Sequence, residues 1–150
     1  MSDDESSALI GYTGFVGSNL LRQRSFDACF NSSNIDQMAG RSFDLVVCCG
    51  ARAEKWKANA DPEADLDNIE KLTRALANVN ATKLVLISTV DVFLNPASVD
   101  EDSLTPMTGL HAYGRNRRRL ELSIRYGRVR LQIDHRAGHC VETGPRTDLR

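Results

Sequence analysis

The chain has 150 residues, the length of one ordinary domain, and 41% of them are hydrophobic against 26% charged. This balance supplies enough apolar material for one core and excludes a chain that is disordered throughout. The net charge is −1, but residues 1–112 carry −7 and residues 113–150 carry +6.

The beginning of the chain and the cysteines bear on the cellular compartment. The first seven residues, MSDDESS, are acidic and polar, unlike a signal peptide, and no apolar run approaches the length of a transmembrane helix. The cysteines at positions 29, 48, 49 and 140 form no C-x-x-C pair, and we interpret them as reduced thiols. We therefore expect a cytoplasmic protein with no membrane segment.

Strands and helices are predicted to alternate along the chain. The apolar run ALI ends in Gly11, as a buried strand that feeds a turn would, and helical spacing follows from 15 to 24. Further strands are predicted at 27–30, 43–51 and 83–88, further helices at 61–79 and 111–126, and a fifth strand at 128–133. Asp61 is the expected N-cap of the helix at 61–79, with Pro62 at its first position. The alternation predicts an α/β fold, a Rossmann-like doubly wound parallel sheet of about five strands.

The last twenty residues lose all periodicity. We expect residues 1–130 to form the domain and residues 131–150 to be a poorly packed tail. The tail contains His135, His139 and Cys140, but no fourth ligand is placed and Gly138 disfavours a helix. We expect no metal site.

Glycines at 11, 14 and 17 follow the first predicted strand and open the first helix. The bare G-x-x-G-x-x-G pattern is often only a tight turn, but the strand-to-helix context favours nucleotide binding. Gly11 permits the turn, Gly14 lets the backbone approach a pyrophosphate, and Gly17 lets the helix pack on the strand. The start of the helix then offers free N–H groups to phosphates.

The residues after the second predicted strand bear on the choice of nucleotide. In a dinucleotide site an acidic residue at this place holds the ribose 2′-hydroxyl, whereas here the sequence is NSSN. Asn31 or Ser32 could donate to a ribose hydroxyl, and neither would repel a 2′-phosphate. No arginine stands there to hold one, so NAD and NADP both stay open.

Two further polar pairs follow. Ser88 and Thr89 stand at the carboxyl end of the fourth predicted strand, and Tyr113 and Arg117 lie one helical turn apart on a shared face. Taken alone, neither pair indicates a function. Ser88 and Thr89 could be ordinary hydroxyls at the end of a strand, and Tyr113 could be a surface tyrosine within a solvated basic run.

Taken together, these features resemble the short-chain dehydrogenase/reductase superfamily in its extended branch, the NAD-dependent epimerase/dehydratase or nucleotide-sugar reductase type. The resemblance covers roughly residues 8–125, through GYTGFVG, DLVVCCGARA, DPEADLDNI, LISTVDVF and YGRNR. It implies a Rossmann fold, NAD or NADP as the cofactor, and hydride transfer on a sugar or nucleotide-sugar.

The resemblance also implies roles for the matching residues. The pyrophosphate would lie on the three glycines and on the backbone of Thr13, Phe15 and Val16. Gly50 and Ala51 would lie beside the adenine ribose and phosphates, and Asn68 takes the place of a structural asparagine near the cofactor.

The implied catalytic residues are Thr89, which would orient the substrate, and Tyr113, which would be the acid/base. The family has a lysine four residues after this tyrosine, and here the residue is Arg117, which keeps the charge on a longer, planar group. Either Arg117 substitutes for the lysine with some loss, or the site only binds.

The length of the chain bears on activity. Extended members of the family are considerably longer and build a substrate lobe from their second half, so the resemblance implies a truncated chain without that lobe and with little or no turnover. Two functions stay open: an oxidoreductase- or epimerase-like domain, and a non-catalytic dinucleotide-binding module. The oligomeric state is open as well.

Nucleic-acid binding is disfavoured. The arginines at 115, 117, 118, 119 and 125 surround the helix instead of forming one stripe, and no aromatic platform accompanies them. A solvated helix face explains Arg115, Arg118 and Arg119.

Overall fold

The structure, a computed structural model, describes residues 6–126. This part of the chain contains four strands: β1 (Ser7–Ile10), β2 (Ala28–Phe30), β3 (Ser42–Cys48) and β4 (Asn80–Leu86). It also contains four α-helices: α1 (Phe15–Gln23), α2 (Lys55–Ala60), α3 (Pro62–Ala77) and α4 (Ala112–Arg125). Short 3₁₀ turns lie at Ile35–Met38 and Val90–Val92. The candidate fifth strand at 128–133 and the predicted tail at 131–150 lie outside the described residues.

The strands form one parallel sheet in the order β2-β1-β3-β4. Ala8 of β1 lies opposite Ala28 on one side and Val46 on the other, and Val46 lies opposite Leu84 of β4. The chain thus moves outward from β1 to β2 and then crosses back to β3, so the strand order reverses between β1 and β3. Ligands of open α/β sheets bind beyond the carboxyl ends of the strands at such a reversal. The predicted doubly wound, Rossmann-like sheet is confirmed.

The hydrophobic core lies between the sheet and the helices α3 and α4. Alternate residues of the central strands belong to it, and Ile10, Val46 and Cys48 are each at most 1% exposed. The helices contribute one stripe each, made of Ile69, Leu72 and Leu76 in α3 and of Leu120 and Ile124 in α4. The sequence places apolar residues at 66, 69, 72, 76 and 79 along one side of the helix predicted at 61–79, and this is the side that packs on the core. This burial is the main stabilising term.

Local sequence patterns predicted some element boundaries correctly and missed others. The Asp61 carboxylate accepts the Ala64 N–H at 3.1 Å and caps α3, with Pro62 following, as predicted. In contrast, β3 was predicted to continue to residue 51, but it ends at Cys48. The next two residues, Cys49 and Gly50, lie against Gly11. Helix α2 was not predicted, because only Ala58 of its six residues is buried and it carries no apolar stripe. Within residues 6–126 no helix is long and apolar enough to cross a membrane.

Helix α4 packs closely against the turn that follows β4, with Gly114 next to the Asp91 backbone. A Cβ on Gly114 would collide with the Asp91 carbonyl oxygen, which is backbone and cannot move aside cheaply. The absence of a side chain at position 114 therefore lets the Val90–Val92 turn reach the helix.

We expect Gly114→Ala to destabilise the fold by about 1–3 kcal/mol, the usual cost of overpacking, although alanine is the better helix former. Arg119→Ala, an exposed change in the same helix, should alter the free energy of unfolding by less than about 0.5 kcal/mol. Urea unfolding followed by circular dichroism measures both. Equal stabilities of Gly114→Ala and the wild type would contradict the close packing.

Candidate functional site

The glycine loop, residues 11–17, is tightly packed at two of its three glycines. Gly11 has a φ of +84°, and a Cβ there would lie 2.5 Å from the carbonyl oxygen of Cys49, just beyond β3. A Cβ on Gly17 would overlap the Gly11 carbonyl oxygen. These two glycines therefore allow the loop to lie against β3 and α1 to lie against the loop.

Gly14 is different, because it is exposed. A Cβ on it would meet nothing closer than the Gly11 carbonyl oxygen at 3.4 Å, which is an ordinary contact. Gly14 is also the N-cap of α1 and has no side chain to satisfy the helix. The N–H groups of Phe15, Val16 and Gly17 have no acceptor within the described residues. The loop thus presents unpaired donors beside open backbone, the arrangement that suits an anion.

A hydrogen bond connects the turn after β2 to Tyr12 of the glycine loop, a residue that the sequence analysis did not single out. Asn31 Nδ2 donates to the Tyr12 hydroxyl at 3.4 Å. Asn31 Oδ1 accepts the Ser33 N–H at 2.9 Å, so the amide oxygen is used inside the turn and Nδ2 faces the loop. Ser32 is exposed. Tyr12 was missed because a tyrosine within a glycine loop has no distinctive spacing.

Residues 49–54, here called the crevice loop, follow β3. They lie on the other side of the glycine loop from the turn after β2. The Cys49 N–H donates to the Ile10 carbonyl at 2.8 Å and continues the pairing of β1 with β3. A Cβ on Gly50 would lie 3.0 Å from Ile10 Cγ2 and 3.2 Å from Leu72 Cδ1, so Gly50 fits closely over the core. Ala51 is half-buried and packs against the same core. Both residues therefore lie at the carboxyl edge of the sheet, next to Gly11.

Ser88 and Thr89 follow the end of β4 and have different partners. The Ser88 hydroxyl donates to Glu121 of α4, and that carboxylate also accepts from Arg118 at 2.8 Å. Arg118 is thus half-buried and ion-paired, and its interpretation as part of a solvated face is wrong. The Thr89 hydroxyl accepts the Asp91 N–H at 3.2 Å and donates to the Asp91 carboxylate at 3.1 Å.

The Asp91 side chain connects the turn after β4 to two further elements, α2 and the start of α4. Its carboxylate accepts from Lys55 of α2 and lies 3.3 Å from His111 Nε2, at the start of α4. His111 Nδ1 accepts the Gly114 N–H at 3.3 Å and so caps α4. Partial burial works against ionisation of Asp91, but the hydrogen bonds from Lys55 and Thr89 outweigh it and hold the pKa of this carboxyl below its usual range.

Tyr113 and Arg117 are both buried, 8% and 3% exposed, so the alternative of a surface tyrosine in a solvated run is wrong. The Arg117 Cζ lies 4.0 Å from the centre of the Tyr113 ring, as their shared helix face predicted. The Tyr113 N–H donates to Asn59 Oδ1 at 3.0 Å, which fixes the start of α4 against α2.

The guanidinium of Arg117 is directed into the protein. Nη1 forms an ion pair with Asp65 of α3, and Nη2 donates to the Arg52 carbonyl in the crevice loop. Asn116 Nδ2 also donates to Asp65, at 2.8 Å. Sequence reasoning missed Asp65, although an available signal was that positions 65, 69, 72 and 76 share one helix face. An acid within an apolar stripe needs a partner, since an unpaired buried charge is very costly.

The predicted site residues are therefore grouped in two sets. The glycine loop, the turn at 31–34 and the crevice loop surround the reversal between β1 and β3. Thr89 and Tyr113 lie on either side of the contact between the Val90–Val92 turn and Gly114. Asn68 donates to Ala64 of its own helix at 2.7 Å. The convergence of Thr89, Tyr113 and Arg117 at a nicotinamide stays a prediction.

The three cysteines within residues 6–126 are not set up as nucleophiles. Cys29, Cys48 and Cys49 are free thiols, and burial raises the pKa of Cys48 to about 12. Desolvation also raises the pKa of Cys29 and of Cys49. Low thiolate content makes all three poor nucleophiles. Across residues 6–126 no group of three or more His, Cys, Asp or Glu is arranged to hold a metal, and His135, His139 and Cys140 lie outside that range.

Comparison with known proteins bears on the fold. No protein-family model matches the chain, and no curated protein matches it in sequence. Among solved structures it is similar to "a putative epimerase from Burkholderia cenocepacia J2315", with a TM-score of 0.50 and 18% sequence identity. The match covers 80% of this chain and 49% of that one, so this chain spans about half the length of that protein. The similarity supports a Rossmann-like fold.

We expect Asp91→Asn to lower the stability by about 1 kcal/mol at pH 7, because the Lys55 and Thr89 donors lose a charged acceptor. The pKa of Asp91 is lowered in the folded state. The carboxylate therefore stabilises the fold above the ordinary value of 3.8, and this contribution is lost as the pH falls through the lower folded value.

The difference in stability between Asp91→Asn and the wild type should thus be constant around neutrality and shrink below about pH 4. Urea unfolding at a series of pH values measures it. Asp67→Asn, which removes an exposed charge from α3, is the control. A difference that grows on acidification would contradict the ion-pair assignment.

Proposed function

We propose that this chain binds NAD or NADP in the crevice between β1 and β3 and acts on a sugar or nucleotide-sugar by hydride transfer. The observation that carries the proposal is the glycine loop, where exposed backbone at Gly14 adjoins three N–H groups at the start of α1 that have no acceptor among residues 6–126. The epimerase-like fold supports it.

The residues of the crevice fit a dinucleotide. The close packing of Gly11 and Gly17 leaves Gly14 as the one glycine of the loop with open space before it, where a pyrophosphate would approach the backbone. Asn31 Nδ2 would donate to the adenosine ribose, and Gly50 and Ala51 would line the ribose and phosphates from the opposite wall. A donor at position 31 serves a hydroxyl and a phosphate alike, so it is compatible with both cofactors.

Two side chains would handle the substrate. When bound, the nicotinamide supplies the hydride acceptor and donor. The Tyr113 phenol would exchange a proton with the substrate hydroxyl as the general acid/base. The Thr89 hydroxyl already donates to Asp91 and accepts one N–H from it, so one lone pair remains, and Thr89 would orient the substrate by accepting a hydrogen bond.

The second candidate function is a dinucleotide-binding module without turnover. The observation that favours it is the engagement of Arg117: its charge is compensated by Asp65 and its terminal nitrogens serve Asp65 and the Arg52 carbonyl. An arginine held in this way is not free to assist the proton transfer of Tyr113.

We expect Gly14→Val to abolish the rise in melting temperature that millimolar NAD(H) or NADP(H) gives the wild type, because the side chain would fill the space next to the backbone donors. The fold should survive, since a Cβ at position 14 would meet only the Gly11 carbonyl oxygen within 4 Å, at 3.4 Å. Thr82→Val, at an exposed position of β4, should keep the ligand effect. A wild type whose melting temperature responds to neither cofactor would contradict the proposal.

The two candidate functions are separated by Tyr113→Phe, which removes a single hydroxyl. In the catalytic case, we expect dinucleotide binding to persist and oxidation or reduction of nucleotide-sugars, followed by NAD(P)H absorbance, to fall by about 10²–10⁴. Tyr126→Phe, at a 75% exposed tyrosine, is the control. A wild type that binds the cofactor and turns over none of the sugars favours the binding module. Equal activity of Tyr113→Phe and the wild type excludes the acid/base role.

A further inference from the structure

We propose that Arg117 is a positioning residue of the crevice: held by Asp65, its guanidinium fixes the backbone of the crevice loop through the Arg52 carbonyl. The inference rests on the proposed function only in assigning a dinucleotide to this crevice. It gives the residue at the family's lysine position a different task, which is to hold a wall of the site in place.

The first argument is the geometry of the guanidinium. Arginine has two terminal nitrogens, and here they serve different elements: Nη1 pairs with Asp65 on α3, and Nη2 donates to the Arg52 carbonyl. The Arg117 Cζ lies over the Tyr113 ring, 4.0 Å from its centre, and this cation–π contact also holds the guanidinium in place. One side chain of α4 thus joins helix α3 to the crevice loop.

The second argument is the burial of the pair. Side-chain exposure is 3% for Arg117 and 6% for Asp65, so the guanidinium cannot exchange its partners for water. Asn116 donates to the same Asp65 oxygen and to the Pro62 carbonyl, at 2.8 and 3.3 Å, which fixes the carboxylate in turn. Asp65 is therefore the anchor, and Arg117 transmits its position to the loop.

The third argument is that the middle of the crevice loop has few hydrogen bonds to the rest of the fold besides the one from Arg117. No backbone–backbone hydrogen bond of residues 50–53 reaches another element in the described part of the chain, and the Lys55 N–H donates to the Ala53 carbonyl within the same segment. The beginning of the loop is held by Cys49 on β1, and its end runs into the six-residue helix α2. Gly50 and Ala51 pack on the core, and the bond to the Arg52 carbonyl adds a polar link from the middle of the loop to α4.

The test replaces the charges without leaving one unpaired. The double variant Asp65→Asn and Arg117→Met keeps an oxygen for Asn116 and a side chain of similar length, and neutral replacements of buried ion pairs are often tolerated. Arg118→Met is the matched control, since it removes the neighbouring guanidinium of α4, which pairs with Glu121 and does not touch the loop. Amide hydrogen exchange is followed residue by residue by NMR, without cofactor.

The Lys55 and Ala58 amides of α2 donate to the Ala53 and Glu54 carbonyls at the end of the loop. In the double variant we expect both amides to exchange at least about tenfold faster than in the wild type. The Gln37 amide in the remote turn after β2 and the Val46 amide in the core should be unchanged, which excludes a general loss of stability. Arg118→Met should leave all four unchanged. Unchanged exchange at Lys55 and Ala58 in a folded double variant overturns the proposal.

Arg117→Lys is the second variant, should the double variant not fold. It keeps the charge facing Asp65 but has one nitrogen in place of two, so the same two amides should exchange faster, and unchanged exchange overturns the proposal here as well. Dinucleotide affinity is measured in parallel and should fall about tenfold with little change in melting temperature. A wild type that binds no dinucleotide contradicts the proposed function, whereas the exchange experiment still decides the role of Arg117.

Discussion

The close approach of the Gly11 backbone to the Cys49–Gly50 peptide is the constraint on which the rest of the site depends. It brings together the carboxyl ends of β1 and β3, the two strands between which the chain reverses its direction across the sheet. Any side chain at position 11 would enter the space of the Cys49 carbonyl oxygen and force these strand ends apart. Because Gly17 then lies against Gly11, helix α1 starts at the reversal, with its free N–H groups at the edge of the crevice.

The opposite wall of the crevice depends on a polar contact inside the apolar layer. Helices α3 and α4 meet through Asp65 and Arg117, and the removal of either partner would leave a buried charge at a cost of about 3–5 kcal/mol. An apolar pair could join the two helices equally well, but it could not donate to a backbone carbonyl. A charged pair at this position can hold the Arg52 carbonyl as well as join the helices, which links the packing of α3 and α4 to the shape of the proposed binding site.

The region around the end of β4 has its own organisation. Asp91 ties the strand end to α2 and to the first turn of α4 through Lys55 and His111, and the contact at Gly114 closes the same group. Thr89 is fixed by this arrangement, since both of its hydrogen bonds go to Asp91. The hydroxyl of Thr89 is thus held at a defined place, and in the substrate-orienting role proposed above such preorganisation would reduce the entropy lost on binding.

The sequence by itself determined the local features: the strand–glycine–helix unit, the cap and apolar stripe of α3, and the helix that carries Tyr113 and Arg117. These depend on residues within one or two turns of each other, so spacing is enough to reveal them. Only the tertiary structure decided which residues meet across long separations, because a linear pattern contains no record of spatial neighbours. Asp65 pairs with a residue 52 positions away, Tyr12 reaches Asn31, and Arg117 turns towards Asp65 and Arg52. In each case a polar group removed from water takes the partner that the packing of the helices and strands brings within reach.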